Sequence, residues 1–141
     1  MYLLDTNIIS EMRRLPKGKA DAGLTTWAKS VNTHVFYTCT VVMMELERGV
    51  LGLERKDPIQ GQILRIWFEN TVKSAFQQRI LTIDNETARL CANLHVPDKA
   101  AENDAWIAAI AIQHNLILVT RNTADFQDMG IRLLNPFTQN H

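Results

Sequence analysis

Short apolar runs in this chain alternate with longer helical patterns, and that alternation restricts the fold more than any other feature. β-Branched or aromatic runs at Tyr2-Leu4, Val35-Cys39, Ile80-Ile83, Leu116-Val119 and Ile131-Leu134 are each the length of a buried strand and are bounded by polar or turn residues. Helical stretches near Leu24-Val31, Val41-Leu53, Ile59-Phe76, Glu86-Leu94 and Ala105-His114 lie among them. In the third, Ile59, Ile63, Ile66, Trp67 and Val72 recur at helical spacing behind an Asp57-Pro58 start; they could serve either core or an interface, and core is the safer reading for each. Strands interleaved with helices predict an α/β fold: a mostly parallel central sheet of about five strands, flanked by helices on both faces. At 141 residues the chain has the modal size of one unit, so residues 1–141 read as a single domain.

Composition removes other classes. With 46% hydrophobic and 21% charged residues, neither disorder nor a disulfide scaffold fits. The apolar stretches Ala108-Ile112 and Leu116-Val119 fall far short of the roughly 20 residues needed to span a bilayer. Asp5 directly behind Tyr2-Leu3-Leu4 is unlike a secretory signal, so a cytoplasmic, membrane-free protein is expected. Cys39 and Cys91 lack paired spacing and read as small buried apolar residues. Lys+Arg and Asp+Glu balance at 15 each, so any nucleic acid must be held locally. The candidate patch is Arg13, Arg14, Lys17 and Lys19, with Arg121 elsewhere in the chain; a solvated loop is the competing reading.

Open α/β sheets take ligands beyond the carboxyl ends of their strands. The residues expected there are Asp5-Thr6-Asn7 after the first strand, Thr40 and a helix carrying Glu45 and Glu47 after the second, and Thr120 to Asp125 after the fourth. The helix before the fourth opens at Glu102-Asn103-Asp104. Each acid also has an ordinary reading. Asp5 and Asp104 suit helix N-caps, Asn122 suits a cap with Asp125 complementing the helix dipole, and Glu47 suits solvent. Glu45 sits among Val41, Val42, Met43, Met44 and Leu46, where a carboxylate needs a partner or a cation. Carboxylates gathered without His or Cys favour Mg²⁺ or Mn²⁺ over Zn²⁺, and His34, His95, His114 and His141 are scattered singly. Phosphate-loop and Gly-x-Ser-x-Gly patterns are missing.

With those residues in place, the chain resembles the PIN-domain family and, within it, the VapC and FitB type of bacterial toxin. The resemblance rests on Leu3-Leu4-Asp5-Thr6-Asn7, Met44-Glu45-Leu46-Glu47-Arg48-Gly49, Asn103-Asp104-Ala105-Trp106-Ile107-Ala108-Ala109 and Leu118-Val119-Thr120-Arg121-Asn122-Thr123-Ala124-Asp125-Phe126. An Asn135-Pro136-Phe137 ending is similar to the FitB-type tail. The resemblance implies a PIN-like three-layer sandwich and a metal-dependent endoribonuclease of a type II toxin-antitoxin module. Mg²⁺ or Mn²⁺ would be held by Asp5, Glu45 and Asp104, with Asn122, Asp125 or a water completing the set, and Thr6 and Thr120 would line the pocket. It also implies an RNA substrate, often a tRNA, a cognate antitoxin that binds DNA on the toxin's behalf, and a homodimer. Two other classes compete. A phosphoacceptor receiver needs a Lys behind its last strands, and Lys17, Lys19, Lys29, Lys56, Lys73 and Lys99 all lie elsewhere. A PIN-fold binding module without turnover would act through protein or RNA binding.

Overall fold

The structure, a computed structural model, describes residues 1–139, so His141 lies outside the described residues. Five strands, β1 (Tyr2–Leu4), β2 (Phe36–Cys39), β3 (Ile80–Leu81), β4 (Ile117–Val119) and β5 (Leu133–Leu134), form one sheet in the order β3-β2-β1-β4-β5. Every pairing is parallel; Leu4 faces Val119 and Leu3 faces Tyr37 in register. Leu3, Leu4, Leu118 and Val119 are fully buried, as expected for central strands covered on both sides.

The connections explain the burial. α1 (Thr6–Met12), α2 (Ala22–Ser30), α3 (Thr40–Lys56), α4 (Pro58–Ile66) and α5 (Lys73–Ala75) belong to the leftward crossovers β1 to β2 and β2 to β3. α6 (Asn85–Leu94) and α7 (Glu102–Gln113) belong to the rightward return from β3 to β4. Right-handed crossovers running in opposite directions put the two helix groups on opposite faces, which gives the three layers. The direction reverses between β1 and β4, so the crevice beyond their carboxyl ends is the topological switch point.

The predicted helix over Ile59-Phe76 is three pieces: α4, a π-helical stretch Trp67–Val72, and α5. Asp57 caps α4 through the Gln60 N–H at 3.2 Å. Phe68, Val72 and Phe76 enter the core, but Ile59, Ile63 and Ile66 are exposed, at 74%, 48% and 51%. The core reading of those three isoleucines is therefore corrected. The wider π-turns rotate the later apolar residues inward and leave the earlier ones on the surface. Against α3, α4 passes so closely that a Cβ on Gly61 would lie 2.4 Å from the Glu54 Cα. The expected strand over Ile80-Ile83 stops at Leu81, with Ile83 exposed, and Ile131 precedes β5. No described helix is long and apolar enough to cross a membrane.

Candidate active site at the switch point

Asp5 stands one residue past β1. Its Oδ1 accepts the Thr6 N–H at 2.8 Å, capping α1, and its Oδ2 accepts the Thr120 hydroxyl at 2.8 Å. The two carboxyl edges of the crevice are thus tied together through one carboxylate, and Asp5 is both cap and cleft residue. Asp5 is only 6% exposed, and burial, aided by the charges of Glu45 and Asp125, raises its pKa despite those two bonds.

Glu45 reaches the same place from the second turn of α3. The Thr6 hydroxyl donates to its Oε1 at 2.6 Å, and the Asn103 amide donates to its Oε2 at 3.3 Å. Asn103 has no role in the sequence reading beyond its place at the helix opening. Two residues along α3, Glu47 is turned away and solvated, as expected, and its carboxylate is also bound to Arg65 at 2.6 and 2.9 Å.

Ala101 is the N-cap of α7, so the capping reading of Asp104 is corrected: the acid is the third residue of the helix. Among the described residues, nothing donates a hydrogen bond to its carboxylate. The positive end of α7 favours the anion, yet desolvation and the charges of Asp5, Asp125 and Glu45 win and push its pKa up to about 6. Asp125 lies exposed on the 3-10 turn Thr123–Phe126. Asn122 heads that turn without a side-chain cap bond; its carbonyl oxygen accepts the Asp125 N–H at 3.1 Å, which corrects the capping reading. Among the described residues none of the four acids enters an ion pair.

Both threonines assigned to the pocket therefore touch its carboxylates. Thr120 also accepts the Asn122 N–H at 3.1 Å and the Asn7 amide at 3.3 Å, while Asn7 Oδ1 accepts the Arg121 N–H at 3.0 Å. Of the basic patch, Arg13 is stacked 5.8 Å from the Trp67 ring, and Arg14 approaches Glu11 at 3.6 Å.

The donor set fits a hard divalent cation. It comprises carboxylate oxygens only, two of the acids have pKa values raised first by burial and then by neighbouring negative charge, and among the described residues no Lys or Arg forms an ion pair with them. A second cluster, Cys91, His95 and Glu102, has ligand atoms within 4.8 Å of one another. It fits a cation poorly. His95 Nδ1 accepts the Ala100 N–H at 3.1 Å, which places the neutral ring's proton on Nε2, facing Glu102 at 3.6 Å. A metal-bound His donates from its second nitrogen, the reverse of this arrangement. Burial also raises the Cys91 thiol. This cluster ties the α6–α7 loop together.

An all-parallel sheet whose switch point is lined with carboxylates defines a class of acid-site α/β proteins. The PIN domain family matches residues 2–131, and the chain belongs to that family. It is 33% identical to the toxin FitB of Neisseria gonorrhoeae over 144 residues, covering 97% of this chain and 99% of that protein. It is 28% identical to the VapC ribonuclease Y4jK of Sinorhizobium fredii over 145 residues, covering 97% and 98%. The crystal structure of FitAcB from Neisseria gonorrhoeae superposes with a TM-score of 0.85 at 30% identity, covering 96% of this chain and 98% of that one.

Proposed function

We propose that this chain is a metal-dependent endoribonuclease, the toxin of a two-component module restrained by a small antitoxin. The observation that carries the reading is the approach of Asp5, Glu45, Asp104 and Asp125 to one switch-point cleft with no protein cation paired to them. Similarity to proteins named as a VapC ribonuclease and as the toxin FitB supports RNA as the substrate class and toxicity as the consequence.

Bound Mg²⁺ or Mn²⁺ would supply charge stabilisation at the scissile phosphate and activate water for attack. The chain's own residues prepare that chemistry. Thr6 and Thr120 hold Asp5 and Glu45 by donating hydroxyl protons, leaving lone pairs on the carboxylates facing the cleft. Asp104, its pKa pushed up to about 6 by burial and by its neighbours' charges, would offer a cation an ionised carboxylate oxygen at neutral pH. Asp125, whose charge acts on both Asp5 and Asp104, would complete the ligand set in preference to Asn122. Among the described residues no side chain stands in the position of a separate general base, so the acids would act as ligands and orienters. Single-stranded RNA or loops, a tRNA loop included, can splay a backbone into such a cleft. DNA would be met only through the antitoxin. The exposed Ile59, Ile63 and Ile66 would suit the homodimer expected of this type.

The test is incubation of total cellular RNA with purified, antitoxin-free protein and Mg²⁺, Mn²⁺ or EDTA, alongside Asp5→Asn. Discrete fragments that need metal and vanish in the variant are expected. No cleavage by folded, metal-bound protein would favour a binding module instead.

A further inference from the structure

Beside the acidic cleft the surface changes sign. Arg14, Lys19 and Arg121 line a pocket of about 260 Å³ together with Glu11, Asp21 and Phe137. Both acids in the lining are already engaged. Glu11 Oε2 accepts the Asp21 N–H at 2.7 Å, and Asp21 Oδ2 accepts the N–H groups of Leu24 at 3.0 Å and Thr138 at 2.8 Å. The cations are not engaged in the same way. Arg14 meets Glu11 only at 3.6 Å and its side chain is 58% exposed, while Lys19 and Arg121 are exposed and enter no ion pair among the described residues.

Arg121 is also held in place. Its guanidinium carbon lies 4.7 Å from the centroid of the buried Phe137 ring. Its N–H donates to Asn7, and its carbonyl accepts the Asn135 amide at 3.4 Å. The next residue back is Thr120, whose hydroxyl binds Asp5. The tail that carries Phe137 is pinned by Thr138 to Asp21, and Gly23 is where the two backbones meet: a Cβ there would lie 2.5 Å from the Pro136 carbonyl oxygen. The C-terminal segment thus places a cation one residue from the cleft.

We infer that Arg14, Lys19 and Arg121 form a phosphate subsite that binds the RNA backbone next to the bond being cleaved. The inference rests on the ribonuclease reading above. A chain with equal numbers of acidic and basic residues has no general field to attract RNA, and its cleft repels a polyanion, so attraction must come from such a local group. Of the candidate patch, Arg14 and Lys19 line the pocket, whereas Arg13 faces Trp67 and Lys17 is outside the lining.

The test measures binding of a labelled single-stranded RNA oligonucleotide in EDTA by fluorescence anisotropy over a salt series, and its cleavage separately with Mg²⁺ or Mn²⁺. Arg14→Gln, Lys19→Gln, Arg121→Gln, the triple variant, Phe137→Leu and the off-pocket control Lys17→Gln are compared, with folding checked by circular dichroism. Each pocket charge removed is expected to weaken binding several-fold and lower the log-log salt slope by about 0.7, with metal affinity unchanged. Phe137→Leu keeps an apolar side chain but loses the ring under Arg121, so a smaller loss is expected. A triple variant that binds RNA like the parent overturns the subsite while leaving the nuclease reading intact. Pocket-dependent binding without metal-dependent cleavage keeps the subsite and removes the nuclease. A parent that neither binds nor cleaves removes both, and variants that keep RNA binding but escape antitoxin inhibition reassign the pocket to a protein partner.

Discussion

Helix α3 carries acids into two regions that treat them oppositely. On its α4 side, Glu47 and Glu54 meet Arg65, which also reaches Glu69, and Lys73 closes on Glu69 at 2.9 Å. There the side-chain bonds from Arg65 and Lys73 hold Glu47 and Glu69 below the usual carboxylate range. On its other side Glu45 joins Asp5, Asp104 and Asp125, where burial and mutual repulsion raise Asp5 and Asp104. Both regions gather several carboxylates, and what separates them is the counter-charge. The protein provides its own cation in the α3–α4 cage and withholds one from the cleft. Carboxylates kept in that strained condition gain most from an ion taken from solution.

The largest expected effect comes from abolishing that difference. Asn103→Arg would place a guanidinium where the amide now donates to Glu45 at 3.3 Å, turning the cleft into a second cage. Every acid would remain, yet divalent-cation binding measured by calorimetry should fall sharply and RNA cleavage should drop on the order of 10³-fold, about 4 kcal/mol of lost transition-state stabilisation. Retained metal binding would show that the acids do not depend on an external charge.

Next comes the scaffold shared by both regions. Gly61→Ala would drive a Cβ to 2.4 Å from the Glu54 Cα, and backbone cannot yield as a flexible side chain does. Forcing α4 away from α3 should cost about 2 kcal/mol in chemical denaturation and loosen the Arg65 contacts, because overpacking at a close helix crossing has few escapes. An unchanged midpoint would mean the helices separate freely and the cage is not built by their closeness.

Much of this was legible in the residues because the central layer obeys simple rules. β1 and β4 are continuous apolar runs flanked by Asp5 and Thr120, so both strands and the residues beyond their carboxyl ends followed from the pattern, while the strand order that sets the switch point between them did not. The edges were less legible: Ile83 and Ile131 extend the apolar runs, but β3 and β5 are only two residues long. For α4 the periodicity showed an apolar face but not what would cover it, and no sequence rule marks the π-turns that bury Phe68 while leaving Ile66 outside. In the cleft, Asp5 stood out at the end of the first strand, Glu45 among apolar neighbours and Asp104 at the head of an apolar helix, whereas Asn103 carried no signal of its own. The Arg65 cage was missed because its members are 18, 11 and 4 residues apart and meet only when α3 folds back on α4.

A smaller effect separates the regions by pH. Asp104 is raised to about 6 from an ordinary value of 3.8, so the unfolded chain releases this proton before the folded one does. Between those values the folded state binds more protons, and stability falls as pH rises, then stays lower above about pH 6. Asp104→Asn should remove that decline and stabilise the metal-free protein at pH 7 by about 1 kcal/mol, the partly exposed carboxylate being screened by water. The cage behaves in the opposite sense: with Glu47 and Glu69 lowered, its contribution is present above their unfolded values and is lost as pH falls through the folded ones. Thermal melts from about pH 2 to pH 7, reaching below the lowered carboxylates of the cage, check both signs, and a variant with the same slope as the parent would remove Asp104 from the repulsive group.

The smallest expected change is at Arg65 itself. Arg65→Gln leaves Glu47, Glu54 and Glu69 facing one another without the guanidinium that joins them, which is the electrostatic condition of the cleft reproduced on a solvated surface. Water screens what burial does not, so the three acids should tolerate the loss with only a modest drop in melting temperature, and the drop should shrink as salt is added. Divalent cations should offer this variant little rescue, because its carboxylates lie open to solvent and are not held by hydroxyl donors as Asp5 and Glu45 are by Thr120 and Thr6. If millimolar Mg²⁺ restored Arg65→Gln as fully as it stabilises the parent's cleft, clustering of acids alone would suffice for ion capture. Burial and orientation at the switch point would then have no special part in it.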